Sequence, residues 1–296
     1  MKEKPFSKYQ ILANAVMIIW TLAIILPFIL LFMSSITDEN TLVANGYSFF
    51  PKKFSLASYS YIIKSGGQIL KAYGVSIGVT VVGTLLNVLL SALMAYPLSV
   101  KNLPGRNVMM FFVFFTMLFN GGIVPSYIMW TGTFHIKDTI FAQLLPNFLL
   151  SAWNVMMIRT YFTTSIPDGL YEAAEIDGAS QFTIFWKIVL PLGKPILVTM
   201  GTFAGLAYWN DWTNGLYYIV KNTGLYNVQN LLNQMVQNIQ FLTQSSNSNV
   251  TAAASTIPAT GIQMAIAFVA ILPIMLIFPS FQTYYAKGIA LGAVKG

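Results

Sequence analysis

The sequence predicts an all-α integral membrane protein with six transmembrane helices, and three observations carry that reading. Only 8% of the 296 residues are charged, whereas 56% are hydrophobic. A soluble domain carries about 25% charged residues, so this chain has too few charges to cover a water-facing surface of its size. Its mean hydropathy is +0.65. The apolar residues also fall in unbroken blocks of about 20 or more, the length at which a helix crosses a bilayer core. Backbone polar groups inside lipid must be bonded within their own segment, which favours helices. A membrane β-barrel would instead show alternating strands of about 10 residues.

The elements follow in order. Residues 11–33 form the first apolar block, preceded by Lys2, Lys4 and Lys8. It is too long for the apolar region of a signal peptide and is read as an uncleaved first span. Residues 34–68 are a polar loop. The second block, 69–100, ends in the turn KNLPGR at 101–106. The third, 107–130, is interrupted by Asn120-Gly121-Gly122 and by Pro125. The short connection TGTFHIKD leads to a fourth block, 139–158, expected to be one continuous span. A polar stretch with helical character, 159–190, precedes the fifth block, 191–220. Residues 221–261 are rich in Asn, Gln, Ser and Thr. The sixth block, 262–281, is followed by a short tail, 282–296.

Lys and Arg placement sets the orientation. With the N-terminus in the cytoplasm, the inner side collects Lys101, Arg106, Arg159, Lys187, Lys194 and the basic residues of both termini. Lys52, Lys53, Lys64, Lys71, Lys137 and Lys221 fall outside. The domain organisation is then a cytoplasmic N-terminus (1–10), a first span with its outer loop (11–68), a transmembrane core (69–281) enclosing a cytoplasmic loop (159–190), and a cytoplasmic tail (282–296). In the outer loop, Leu231, Leu232, Met235, Val236 and Ile239 recur at helical spacing. They mark a helix that rests on the membrane or caps the bundle, or else docks an external partner. The following SSNSNVTAAAST reads as a flexible linker.

Composition excludes several function classes. The chain has no Cys, which removes disulfides, Cys-ligated metals and thiol catalysis. Its single His135 lies in a short outer connection, reads as a surface residue, and cannot build a His-rich metal site. The net charge of +7 matches cytoplasmic loops of a membrane protein rather than nucleic-acid binding, because no basic patch is interleaved with exposed aromatics.

The stretch YEAAEIDGAS, 171–180, holds Glu172, Glu175 and Asp177, three of the nine acidic residues. Pro167 and Asp168 look like a helix start, and Glu172 and Glu175 lie three residues apart on neighbouring helical rows. Gly178 ends the helix as a C-cap, and a second short helix over 181–189 leads to Pro191 and the fifth span. Ala173 and Ala174 allow close approach of another backbone, and the carboxylates suit Arg or Lys on that partner. The plainer alternative is a solvated loop, which explains the charges but not the Ala pair or the Gly break.

The run Glu172-Ala173-Ala174, then Asp177-Gly178-Ala179, then Ile188-Val189-Leu190-Pro191 resembles the EAA motif of ABC importer permeases. The segment from Phe278 to Gly288, with the ending Gly292-Ala293-Val294-Lys295-Gly296, looks like the tail of carbohydrate-importer permeases of the maltose-permease G type. Asn120 to Tyr127 and Trp209-Asn210-Asp211-Trp212 resemble the branch that handles oligosaccharides or polysaccharide fragments. The similarity covers essentially the whole chain. It implies a type I ABC importer permease fold with six spans and both termini cytoplasmic, in a bacterial cell membrane. It also implies a coupling helix, 167–178, seated in a cytoplasmic ATPase, with Glu172, Ala173, Ala174, Asp177, Gly178 and Pro191 forming that link. The implied partners are a second homologous permease, two ATP-binding subunits, an external solute-binding protein, an oligosaccharide and membrane lipid. No phosphate-binding G-x-x-x-x-G-K-[ST] string occurs, so the chain is expected to hydrolyse nothing and to hold no cofactor. ATP and Mg belong to the partner ATPases.

Polar residues within spans are expensive and often functional. Asp211 is either interfacial, with Trp209 and Trp212 as belt anchors, or lines the path, where Asn210, Asp211 and Asn214 bond sugar hydroxyls while Trp209 or Trp212 stacks on a sugar ring. Asn120, Gly121 and Gly122 mark a kink or short unwound turn that belongs on the translocation path or at a partner interface. Gln143 and Asn154 suit inter-helix bonds, with Asn154 kept as a path candidate. The rival function is an ion- or proton-coupled secondary sugar transporter. That class needs buried ionisable residues and usually an internal repeat, and only Asp211 offers the first.

Overall fold

A computed structural model describes residues 8–64, 66–244 and 259–293. The described elements are helical, and the only strand-like feature among them is an isolated bridge between Thr37 and Phe54. Three helices are long and apolar enough to cross a membrane, or five if each of two bent pairs counts as one span. The chain divides into two compact units, residues 1–69 with 232–273, and residues 70–231 with 274–296.

In the first unit α1 (Lys8–Ser35) is apolar along its length, and only Ser34 and Ser35 are buried. Its end is tied down by Ser35 Oγ bonding the Tyr59 hydroxyl at 2.8 Å and by Phe32 packing on Phe268 with ring centroids 4.9 Å apart. Tyr59 lies on α3 (Ala57–Lys64). Between them α2 (Glu39–Asn45) opens on Glu39. The Glu39 carboxylate accepts from the N–H groups of Thr260 and Gly261, each at 2.9 Å. These are first-turn donors of the last helix, which have no partner within the helix itself.

In the second unit α4 (Gly66–Ser99) runs 34 residues. It is followed by α5 (Arg106–Leu118), α6 (Ile123–Ile128) with a π turn over Met129–Thr133, α7 (Phe141–Leu144) and α8 (Ala152–Ser165). Next come α9 (Asp168–Ile176), α10 (Gln181–Ile184), a π stretch Phe185–Val189, α11 (Leu190–Leu192), α12 (Lys194–Asn210) and α13 (Thr213–Tyr218). The largest core cluster joins Ala92, Ala95 and Tyr96 of α4 to Ile158 and Phe162 of α8 and to Phe185 and Val189. α14 (Val228–Gln244) and α15 (Ala259–Ala293) complete the chain. On α14, Leu232 and Met235 of the apolar stripe pack on Ile62, Ile262 and Ile266 of the first unit. The linker after it lies outside the described residues.

The structure refines the expectations about the spans. The third block carries the expected break: residues 119–122 are unwound, and α5 and α6 are bent by 110° across them. Gly122 takes φ 86 there, a region costly for other residues. The fourth block is not one helix: Leu145–Ser151 is unwound between α7 and α8. The long helix of the fifth block begins at Lys194 rather than Pro191. A 78° bend lies at the break after Leu192, where a Cβ on Gly193 would stand 2.5 Å from the Phe162 ring. This span also stops at Asn210, well short of Val220. The last helix runs on to Ala293, beyond its apolar stretch Ala259–Ile277.

Candidate functional site

The loop from α8 to α11 forms two short helices joined by a tight turn. Pro167 precedes α9, and its φ of −63 with extended ψ suits a helix entry. At the far end the Ala179 N–H reaches the Ala174 carbonyl at 2.9 Å and the Gly178 N–H reaches that of Glu175 at 3.0 Å. That pair of bonds is a Schellman cap, and it requires the left-handed φ of 76 that Gly178 adopts. Ser180 then caps α10 by accepting from the Thr183 N–H.

Ala174 is the one buried residue of α9 and packs on the core cluster. Beside it the Tyr171 ring stacks on Tyr96, centroids 6.4 Å apart, and burial followed by the neighbouring Tyr96 phenol pushes the Tyr171 phenol up to about 12. The Tyr96 hydroxyl donates to Gln181 Oε1 at 2.6 Å, and Gln181 Nε2 donates to Glu175 Oε1 at 2.8 Å. Lys101, in the turn after α4, pairs with Asp168. The two-helix element is thus locked to its own chain by α9's inner face. Its outer surface is open: Glu172, Ala173 and Asp177 are exposed, Ile176 is 86% exposed and Phe182 67%. Of the expected link residues, Glu172, Ala173, Asp177 and Gly178 share this open surface, Ala174 serves as the anchor, and Pro191 sits in the helical run before the bend.

The second polar centre surrounds the unwound segment. Three alternate carbonyls, of Leu144 at the end of α7 and of Pro146 and Phe148 in that stretch, accept from three different helices. Tyr208 on α12 donates to Leu144 at 2.9 Å, Asn214 on α13 to Pro146 at 3.1 Å, and Asn87 on α4 to Phe148 at 2.6 Å. Asn154 Nδ2 donates to Asn87 Oδ1 at 2.7 Å. Fully buried Gln143 donates to Leu225 and Asn230 and accepts from Asn227. Non-helical backbone at membrane depth persists only where protein or a water-filled cavity covers it, and these side chains supply the missing bonds.

The path candidates separate. Asp211 is buried, 4% exposed. Its Oδ1 accepts from the N–H groups of Thr213 and Asn214 and from the Thr213 hydroxyl, so it starts α13. Trp209 is buried too, whereas Asn210 and Trp212 are exposed. Asn120, Gly121 and Gly122 lie together on the exposed bend, where Asn120 Oδ1 accepts from the Gly122 N–H. Asn154 lines a cavity, with Asn87, Asn147, Phe148, Ser151 and Phe203. Gln143 bonds between elements as expected, and exposed His135 lies on the surface. Sequence reasoning missed Asn87 and Asn147. The local signal near them was Pro146, which cannot donate a helical bond. Among the described residues no cluster of three or more His, Asp or Glu is placed to hold a metal ion.

The profile of one family, described as the binding-protein-dependent transport system inner membrane component, matches residues 72–291. The chain belongs to this family. As such it is the membrane permease component of an ABC transporter and not an enzyme, the ATPase being a separate subunit. The permease is 36% identical over 272 residues to protein LplC of Bacillus subtilis (strain 168), covering 92% of this chain and 90% of that one. It is 35% identical over 288 residues to the polygalacturonan/rhamnogalacturonan transport system permease protein YtcP of the same organism, covering 97% and 98%. Among solved structures it is similar to a bacterial ABC transporter involved in the import of the acidic polysaccharide alginate. That match has TM-score 0.79 and 26% identity, and covers 95% of this chain and 100% of that chain.

Proposed function

We propose that this permease is one half of the membrane path of an ATP-driven importer of oligosaccharides, including polysaccharide fragments. A second homologous permease forms the other half, two ATP-binding subunits hold ATP and Mg, and an external solute-binding protein delivers the sugar. The chain lies in a bacterial cell membrane with six spans and both termini in the cytoplasm. Residues 1–10 and 282–296 are then cytoplasmic, 11–68 form the first span and outer loop, and 69–281 form the core. The polysaccharide-transport relatives support the substrate class.

The observation that carries the coupling role is the open outer surface of α9 and its glycine turn. Glu172 pairs with no cation among the described residues, while Ile176 and Phe182 beside it stand in solvent. A carboxylate rim around an apolar patch fits a cleft on another protein with basic residues at its edge. ATP-driven closure of the ATPase pair then moves α9, and the rigid tie of Ala174 and Tyr171 to α4 carries that motion into the spans. The test is co-purification of the ATPase with Glu172→Lys and Gly178→Pro, alongside uptake. Both variants are expected to lose ATPase binding or uptake. If the ATPase stays bound and uptake continues in both, α9 is not the coupling helix.

A further inference from the structure

The cavity beside the unwound segment carries hydrogen-bonding capacity that the fold leaves unused. It encloses about 310 Å³. Asn154 is 5% exposed and spends Nδ2 on Asn87, while its Oδ1 accepts from nothing among the described residues. Ser151 occupies the cap position of α8 yet makes no capping bond, so its hydroxyl is also free. Asn147 spends Nδ2 on Asn214 Oδ1 and leaves its own Oδ1 open. It is held facing this space by a left-handed φ of 67. None of these three oxygens is sealed away without a partner inside the protein. The rings of Phe148 and Phe203 complete the lining, and no cationic side chain takes part.

Two amide oxygens and a hydroxyl, set between aromatic rings, match a sugar: hydroxyl groups supply the donors, and the C–H face of a ring lies on an aromatic surface. We propose that Asn147, Ser151 and Asn154, with Phe148 and Phe203, form a carbohydrate subsite belonging to this subunit, one that reads hydroxyl groups and is indifferent to carboxylates. It rests on the import reading above. The polar groups are positioned by the three carbonyl-bonding side chains Tyr208, Asn214 and Asn87, so the unwound segment exists to present them.

The experiment uses the complete transporter in proteoliposomes with its ATPases and binding protein. Neutral arabino-oligosaccharides and acidic oligogalacturonides serve as the probes. Ser151→Ala and Phe203→Leu leave the Asn87–Asn154 bond intact, and Asn154→Leu removes it. Uptake in the first two is expected to fall about three- to tenfold, the scale of one lost hydrogen bond or ring contact. The fold-loss should be the same for whichever probes are carried, with binding-protein-stimulated ATP hydrolysis retained. Unchanged uptake in both Ser151→Ala and Phe203→Leu would show that the cavity holds water only. A loss confined to the acidic probe would overturn the charge-indifferent reading. If the unaltered transporter moves neither probe, it is the import reading that fails.

Discussion

Gly83→Ala tests the packing that holds the unwound segment in place. A Cβ at Gly83 would stand 2.5 Å from Cζ of Tyr208, 2.6 Å from Cε2 and 2.7 Å from Cε1. The ring has nowhere to retreat, because it is 2% exposed and packed among Val79, Leu144 and Phe148. Overpacking of this kind costs about 1–3 kcal/mol. Displacing the ring also breaks the hydroxyl's bond to the Leu144 carbonyl, and leaving buried polar groups unpaired costs a further ~1–3 kcal/mol. Against this, Ala in place of Gly favours the helix by ~1 kcal/mol. The balance is a destabilisation of roughly 1–5 kcal/mol. Thermal unfolding in detergent reads it as a fall in Tm, and the same substitution in a Tyr208→Leu background supplies the double-mutant cycle. The loss should shrink by half or more once the ring is gone. A Tm equal to or above the unaltered protein's, or an equal loss in both backgrounds, would refute the idea that Gly83 exists to seat Tyr208.

Two further outcomes follow from the loops. The backbone N–H of Lys221, and those of Asn222 and Val220, hold the Asp138 carboxyl below its usual value of 3.8. A lowered folded-state value means stability that is present above the ordinary pKa and lost as pH falls through the lowered one. Asp138→Ala should therefore unfold at a lower temperature than the unaltered protein at pH 7, with the gap closing as pH drops below 3.8; a gap that persists in acid would contradict the anion role. Glu39→Ala should cost about 1–2 kcal/mol, as for loss of a strong helix cap. Hydrogen exchange should speed at the Thr260 and Gly261 amides, and Glu39→Gln should recover part of the protection.

What could be read from the sequence depended on where each element's hydrogen bonds come from. α1 and α4 are uninterrupted apolar runs that satisfy their own backbone, so length and hydropathy located them. The turn after α9 was also legible, since Gly178 supplies the left-handed residue its cap requires; Ala174, read with Ala173 as allowing a partner's close approach, instead packs on the chain's own core. The unwound stretch at 145–151 was not. Its carbonyls are satisfied by Asn87, Tyr208 and Asn214, each about 60 positions or more away, and Pro146 alone looks like a tolerable kink. Distance likewise hid part of the surroundings of Asp211. Its local run WNDWTN shows the residues that its carboxylate bonds at the start of α13, but not Asn227, whose Nδ2 bonds its carbonyl from 16 positions on.

The spacing of the three accepted carbonyls has a mechanical meaning. Leu144, Pro146 and Phe148 are gripped by α12, α13 and α4 at 2.9, 3.1 and 2.6 Å. A hydrogen bond does not survive much beyond 3.2 Å, while one residue's rise along a helix is about 1.5 Å. None of the three helices can advance by even a single residue without letting go of its carbonyl or dragging the strand between them along. Leu145–Ser151 therefore behaves as a detent: it indexes three helices to one another in discrete steps, and a displacement of any one is passed to the other two through a few residues of chain.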